Sequence, residues 1–175
     1  FTMKAVEGGT FNMGAQSADP AGANYDAEAW DREAPVHSVT LSDYYIGETE
    51  VTQELWQAVM GYNISHFSGE QNPAEQVTWY DCQNFIAQIN LLTGMNFRLL
   101  TEAEWEYAAR GGNKSEGYIY SGSDNLEDVA WFADNSDGKT HEVKTKIPNE
   151  LGIYDMCGNV LEWCQDIYGD YSGED

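Results

Sequence analysis

From Gly112 to its C-terminus the chain has almost no hydrophobic periodicity, yet this half is studded with aromatic residues. Tyr118-Ile119-Tyr120, Ala130-Trp131-Phe132 and Gly152-Ile153-Tyr154 alternate with Gly, Asn and Asp. Amphipathic helices and half-buried strands announce themselves by regular apolar spacing. A stretch without such spacing reads as loop. A long loop-rich region inside a compact domain needs an organiser, often a function or a bound ion.

The chain is nonetheless a folding one. Hydrophobic residues make up 42%, with six tryptophans and eleven tyrosines, whereas disordered acidic chains are poor in aromatics. Its 175 residues fit one domain of the usual size, about 100–150 residues, and can bury a core without disulfide staples. No apolar run approaches the roughly 20 residues that cross a bilayer. The chain opens at Phe1 with no basic-then-apolar leader, which fits either a removed leader or an internal start.

Charge narrows the partners. Eight basic residues stand against 30 acidic ones, a net charge of −22. Such a surface repels phosphate, which argues against nucleic acid and anionic membranes and for cations or neutral surfaces. Self-repulsion also works against the compact state unless something cationic offsets it. The three cysteines, Cys82, Cys157 and Cys164, are odd in number and form no CxxC pair, so they read as small buried hydrophobes.

The first half carries the regular elements. Phe1–Val6 and Thr10–Met13 read as extended runs around the Gly8-Gly9 turn. His37–Leu41 and Tyr44–Ile46 continue the sheet signal. The acidic stretch 15–32 between them reads as loop. Helices are predicted over Thr52–Met60, Trp79–Leu92 and Thr101–Arg110. In the second, Cys82, Phe85, Ile86 and Ile89 share a face, and Gly94 sits where a left-handed cap belongs. The third opens on Thr101-Glu102-Ala103-Glu104, a capping box. Arg98 and Arg110 are predicted to pair internally, with Glu102 or Glu106.

Three stretches stand out together: Gly8-Gly9-Thr10-Phe11-Asn12-Met13-Gly14 with Glu33-Ala34-Pro35-Val36-His37; Arg98 through Gly112; and Asn149 through Trp163, which contains Gly152-Ile153-Tyr154-Asp155-Met156-Cys157-Gly158-Asn159-Val160-Leu161-Glu162-Trp163. Glu50-Val51-Thr52 and Val77-Thr78-Trp79-Tyr80-Asp81 lie between them. In this order, over nearly the whole chain, the set resembles the formylglycine-generating enzyme family, the sulfatase-modifying-factor domain.

The resemblance implies an α+β, C-type-lectin-like fold, loop-rich, with few helices and small twisted sheets. It implies one domain over residues 1–175, lacking the family's C-terminal segment. Catalytic members use oxygen and a copper(I) ion, held by two cysteines of that segment, to convert a sulfatase cysteine to formylglycine. Cys157 and Cys164, seven apart, do not match those positions. The resemblance therefore implies a domain that is non-catalytic as given: a calcium-stabilised binding or scaffold module of the cell envelope or extracellular space, with a protein or carbohydrate partner. Two alternatives are part of a copper-dependent formylglycine-generating oxidase and a lectin-like display protein.

The same resemblance places a calcium site on the Asp155 side chain, the Gly158 and Val160 carbonyls and the Glu162 side chain. These are hard oxygens of the kind calcium takes six to eight of. The plainer reading is that Asp155 and Asn159 cap a turn and Glu162 is surface. A second family calcium site falls on Val129-Ala130-Trp131, where Val129 offers no side-chain oxygen; Asn135 and Asp137 read as ordinary loop residues. His37, His66 and His141 are too scattered to form a ligand set. His141 reads as surface loop, and His37 as a residue bonded near a strand.

Overall fold

The computed structural model describes residues 1–171; the last four residues of the acidic C-terminal end lie outside the described residues. Four short strands open the chain: β1 (Met3–Val6), β2 (Thr10–Met13), β3 (His37–Thr40) and β4 (Tyr44–Gly47). The Gly8-Gly9 turn does not close a hairpin. β1 pairs antiparallel with β4, Met3 opposite Gly47, and β2 with β3, Thr10 opposite Thr40. The chain thus switches ladders at Gly8-Gly9, and again on its return between β3 and β4. Asp43 fixes the crossing, since its Oδ1 accepts the Gly8 N–H at 2.9 Å. A side chain at Gly8 would meet the Leu41 carbonyl oxygen at 2.2 Å, so the close approach of the two segments requires glycine there.

The helices form where the sequence predicts them, with sharper ends. α1 covers Gln53–Met60, with Thr52 as its cap rather than its first residue. α2 covers Trp79–Thr93, one residue longer than predicted, and Gly94 ends it in the left-handed conformation at φ 69°. α3 covers Glu102–Ala109 behind a complete capping box of Thr101 and Glu104. A fourth, one-turn helix, α4 (Leu126–Val129), was not anticipated; its signal is the Asn125 cap, whose side chain accepts the Glu127 N–H. Past α4 no further helix or strand forms among the described residues.

Two apolar clusters result. The first gathers Val6, Tyr44 and Ile46 of the β1–β4 pair, Tyr107 and Ala108 of α3, and Ile153 and Met156 of the late loops. The second packs Trp56 of α1 on Phe85 and Ile89 of α2, with the Trp56 and Phe85 rings stacked at 5.0 Å. The closely packed element pairs are β1 with β4, β2 with β3, α1 with α2, and α3 with β2 and the Gly112–Lys114 turn. None of them joins the α1–α2 unit to the sheets. Loop contacts make that connection: Trp163 Nε1 donates to the Val77 carbonyl and Trp79 Nε1 to the Cys164 carbonyl. A cavity of about 220 Å³ lies between the clusters, with Trp56, Phe85, Leu100, Trp105 and Met156 in its wall.

Arg98 and Arg110 both pair internally. Arg110 bonds Glu106 at 2.7 Å, as predicted. Arg98 bonds Glu104 at 2.6 Å rather than Glu102 or Glu106, because Glu104 already turns back toward the N-terminus of α3 as the second half of the capping box. Glu102 instead accepts the Tyr171 hydroxyl.

Candidate metal centre

The irregular segment 155–162 is held by neighbours on both sides. Asp155 and Asn159 both adopt positive φ, 63° and 68°, a conformation that Asn and Asp tolerate better than other side chains. Gly158 lies so close to Trp131 that a Cβ there would sit 2.2 Å from the Trp131 carbonyl oxygen. That oxygen accepts the Asn159 N–H at 2.8 Å. The Asn159 side chain accepts the His141 N–H and donates to the His141 carbonyl at 3.1 Å. It also donates to Glu50 Oε2 at 3.2 Å. Asn159 therefore does more than cap a turn: it ties three segments distant in sequence.

His141 is not a free surface residue. Its ring stacks on Trp131 at 3.8 Å, and Nε2 contacts the Ser136 carbonyl at 2.9 Å. His37 behaves as predicted, its Nδ1 meeting the Pro35 carbonyl at the start of β3. Val129 is buried in the fold and has no side-chain oxygen to offer a second site. Asn135 is used up locally, accepting the Phe132 N–H and donating to the Ala130 carbonyl.

Asp155, Gly158, Val160 and Glu162 all line one recess of about 600 Å³, together with Trp105, Cys157, Cys164 and Asp166. Asp155 is 3% exposed. Its Oδ2 accepts the Lys144 N–H at 2.8 Å, while its Oδ1 is buried with no hydrogen-bond partner. Glu50, which sequence reasoning left without a role, presents a second such oxygen: its Oε1 is also buried and unpartnered. Glu162 is itself exposed, and it lines both the recess and the cavity between the clusters.

Among the described residues no ion pair reaches these acids. Lys144 sends its ammonium to Glu48, at 2.7 Å, not to Asp155. The pKa values answer accordingly. Burial, then the charges of Asp155 and Glu162, hold Glu50 well above the ordinary carboxylate range; the Asn159 amide and the Val160 N–H pull it back only in part. Burial raises Asp155. Burial raises Glu162 also, with the Asp155 charge adding to it. The Trp105 indole works against that rise, although its N–H makes no hydrogen bond of good geometry.

The donor set suits a hard cation held largely by the backbone. Among the described residues no three His, Cys, Asp or Glu side chains converge on one point, so carboxylates alone would not complete a coordination shell. The Gly158 carbonyl accepts the Val160 N–H at 3.0 Å and keeps a second lone pair. The Val160 carbonyl accepts no hydrogen bond among the described residues. An orphaned buried carboxylate oxygen in one recess with backbone carbonyls that have lone pairs to spare fits calcium. It does not fit copper(I), which prefers soft sulfur.

The thiols of the recess are poor ligands. All three cysteines are free. Burial pushes Cys82 and Cys164 up to about 11, and raises Cys157, whose Sγ accepts the Ser121 N–H at 3.2 Å. The thiolate is the form that binds metal or attacks, and here burial suppresses it.

Small two-stranded sheets, capped helices and a long ordered loop region folded over an acidic recess define a formylglycine-generating-enzyme-type domain. The chain belongs to the sulfatase-modifying factor enzyme 1-like domain family, whose model matches residues 2–174. It is 40% identical over 177 residues to a chaperone protein LppX of Paenibacillus barcinonensis, covering 73% of this chain and 63% of that protein. It is 28% identical over 227 residues to a formylglycine-generating enzyme of Streptomyces coelicolor, covering 93% and 68%. Its fold matches Treponema denticola variable protein 1 with a TM-score of 0.80 at 35% identity, over all of this chain and 76% of that one. The chain thus spans less than two thirds of the length of the LppX protein.

Proposed function

We propose that the chain is a calcium-stabilised, non-catalytic binding or scaffold module that works in the cell envelope or outside the cell. The observation that carries the calcium reading is Asp155. It is a carboxylate 3% exposed with one oxygen unpartnered, near the charges of Glu50 and Glu162 and with no balancing ammonium among the described residues. An uncompensated buried charge costs several kcal/mol by most estimates, and a divalent cation removes that cost. In this role Asp155 and Glu162 give side-chain oxygens and Gly158 and Val160 give carbonyls, and the ion supplies charge neutralisation and a fixed loop.

The binding reading rests on the surface beside that loop. Leu161 is 100% exposed and Ile167 97%. Trp163, Tyr168 and Tyr80 are exposed as well. Aromatic and aliphatic side chains displayed on an ordered loop suit a protein or carbohydrate partner, and the net charge of −22 disfavours nucleic acid.

A melting curve with calcium and with chelator tests the reading. Calcium at a hundredfold excess over its dissociation constant stabilises by about 2.7 kcal/mol, or roughly 5–10 °C for a domain of this size. Identical midpoints sink the calcium site. The likeness to the Streptomyces enzyme favours a second reading, part of a copper-dependent oxidase acting on a sulfatase cysteine. Oxygen consumption with copper(I) and a sulfatase-derived cysteine peptide would establish it and end the non-catalytic one.

A further inference from the structure

The helical unit and the sheet unit each have their own apolar cluster, and the packed element pairs do not cross between them. Glu50 stands at the crossing. Val51, its neighbour in sequence, packs on the Trp56–Phe85 cluster, and Thr52 caps α1. Across the gap, Met156 belongs to the other cluster and follows Asp155 directly. The Glu50 carboxylate reaches the 155–162 loop itself, through Asn159 Nδ2 at 3.2 Å. Its second oxygen, like that of Asp155, is buried and unsatisfied. Glu50 and Glu162 also line the cavity between the two clusters.

We infer that Glu50 is a positioning residue through which a cation on the Asp155–Glu162 loop clasps the α1–α2 unit to the sheet unit. This rests on the calcium reading proposed above and adds to it a residue from the other side of the molecule. One carboxylate oxygen steadies the loop through Asn159. The other adds negative charge beside the cation from the helical side. Without the cation, Glu50 and Asp155 each keep a buried carboxylate oxygen with no partner. The ion therefore ties the two units together, and the cavity between the clusters closes against solvent when it binds.

Glu50→Gln keeps the size of the side chain and an acceptor for Asn159 while removing the charge. Calcium affinity is measured by titration calorimetry, well below the melting temperature of either protein. Solvent access to the cavity is read from the rate at which Cys82, in its wall, is alkylated, followed by mass spectrometry. In the wild type calcium should slow that alkylation. In Glu50→Gln the affinity should fall about tenfold or more, the range for residues that support metal ligands from behind, and calcium should protect Cys82 less. The variant without calcium should melt no lower than the wild type, which a merely structural role would not give. Unchanged affinity in Glu50→Gln overturns the inference, as does a wild type that binds calcium without any change at Cys82. A wild type that binds no calcium removes the site itself, and the clasp falls with it.

Discussion

Glu104 links the capping of α3 to the floor of the acidic recess, because Trp105, next to it, lines both the recess and the central cavity. Its carboxylate makes three hydrogen bonds: to the Thr101 N–H at 2.9 Å, and to the two terminal nitrogens of Arg98 at 2.7 and 2.6 Å. Glu104→Ala removes all three. The lost half of the capping box is worth about 1 kcal/mol. A charge-assisted pair of this geometry reaches about 1.5–3 kcal/mol when desolvated, but the Arg98 side chain is 49% exposed, which discounts the pair to about 1 kcal/mol. The sum is about 2 kcal/mol. For a domain of this size that lowers the melting temperature by about 4–8 °C.

Far-UV circular dichroism melts at neutral pH measure the loss, and pH gives a second check. Burial alone would raise the Glu104 pKa, but the Arg98 guanidinium and the Thr101 N–H outweigh it, and the net shift is downward. A carboxyl with a depressed folded pKa contributes stability that is complete above its unfolded pKa of about 4.3 and is lost as pH falls through the folded value. The gap between wild type and Glu104→Ala should therefore narrow in acid. A neutral-pH loss below about 0.5 kcal/mol, the ordinary range of surface substitutions, refutes the reasoning. So does a gap that stays constant down to strongly acidic pH.

Phe85→Ala removes the ring stacked on Trp56 in a cluster built on three buried side chains; a loss of about 3–5 kcal/mol in urea unfolding is expected. Gly158→Ala drives a Cβ into the Trp131 carbonyl. It should cost about 1–3 kcal/mol and weaken the calcium-dependent shift in melting temperature, because the displaced backbone carries a candidate ligand carbonyl. A Gly158→Ala protein with the full calcium response would detach that carbonyl from the site.

The regular elements were legible because their causes are local. Thr78 with Asp81, and Thr101 with Glu104, are capping boxes three residues apart, and Gly94 ends α2 by a preference of its own backbone. Strand pairing was less legible. The Gly8-Gly9 turn looks like a connection between neighbours, but β1 and β2 take partners from the returning chain, and only Asp43 and the close approach of Leu41 show why. Asp155, Gly158, Val160 and Glu162 share a short motif, and the structure gathers them in one recess. The role of Asn159 was visible only in part: its turn conformation follows from its type, its bonds to His141 and Glu50 do not.

By itself the sequence determined three helices, the capping box that opens the third and the glycine that ends the second, a family, a loop-rich second half and an acid excess. Each is a property of composition or of residues a few positions apart. Tertiary structure alone decided where the acid excess concentrates. Glu50 meets the Asp155–Glu162 loop only when the two units fold together, and which carboxylate oxygens lose water and find no partner depends on that packing. Charge is counted along a chain; the cost of burying it is set by what surrounds it in space.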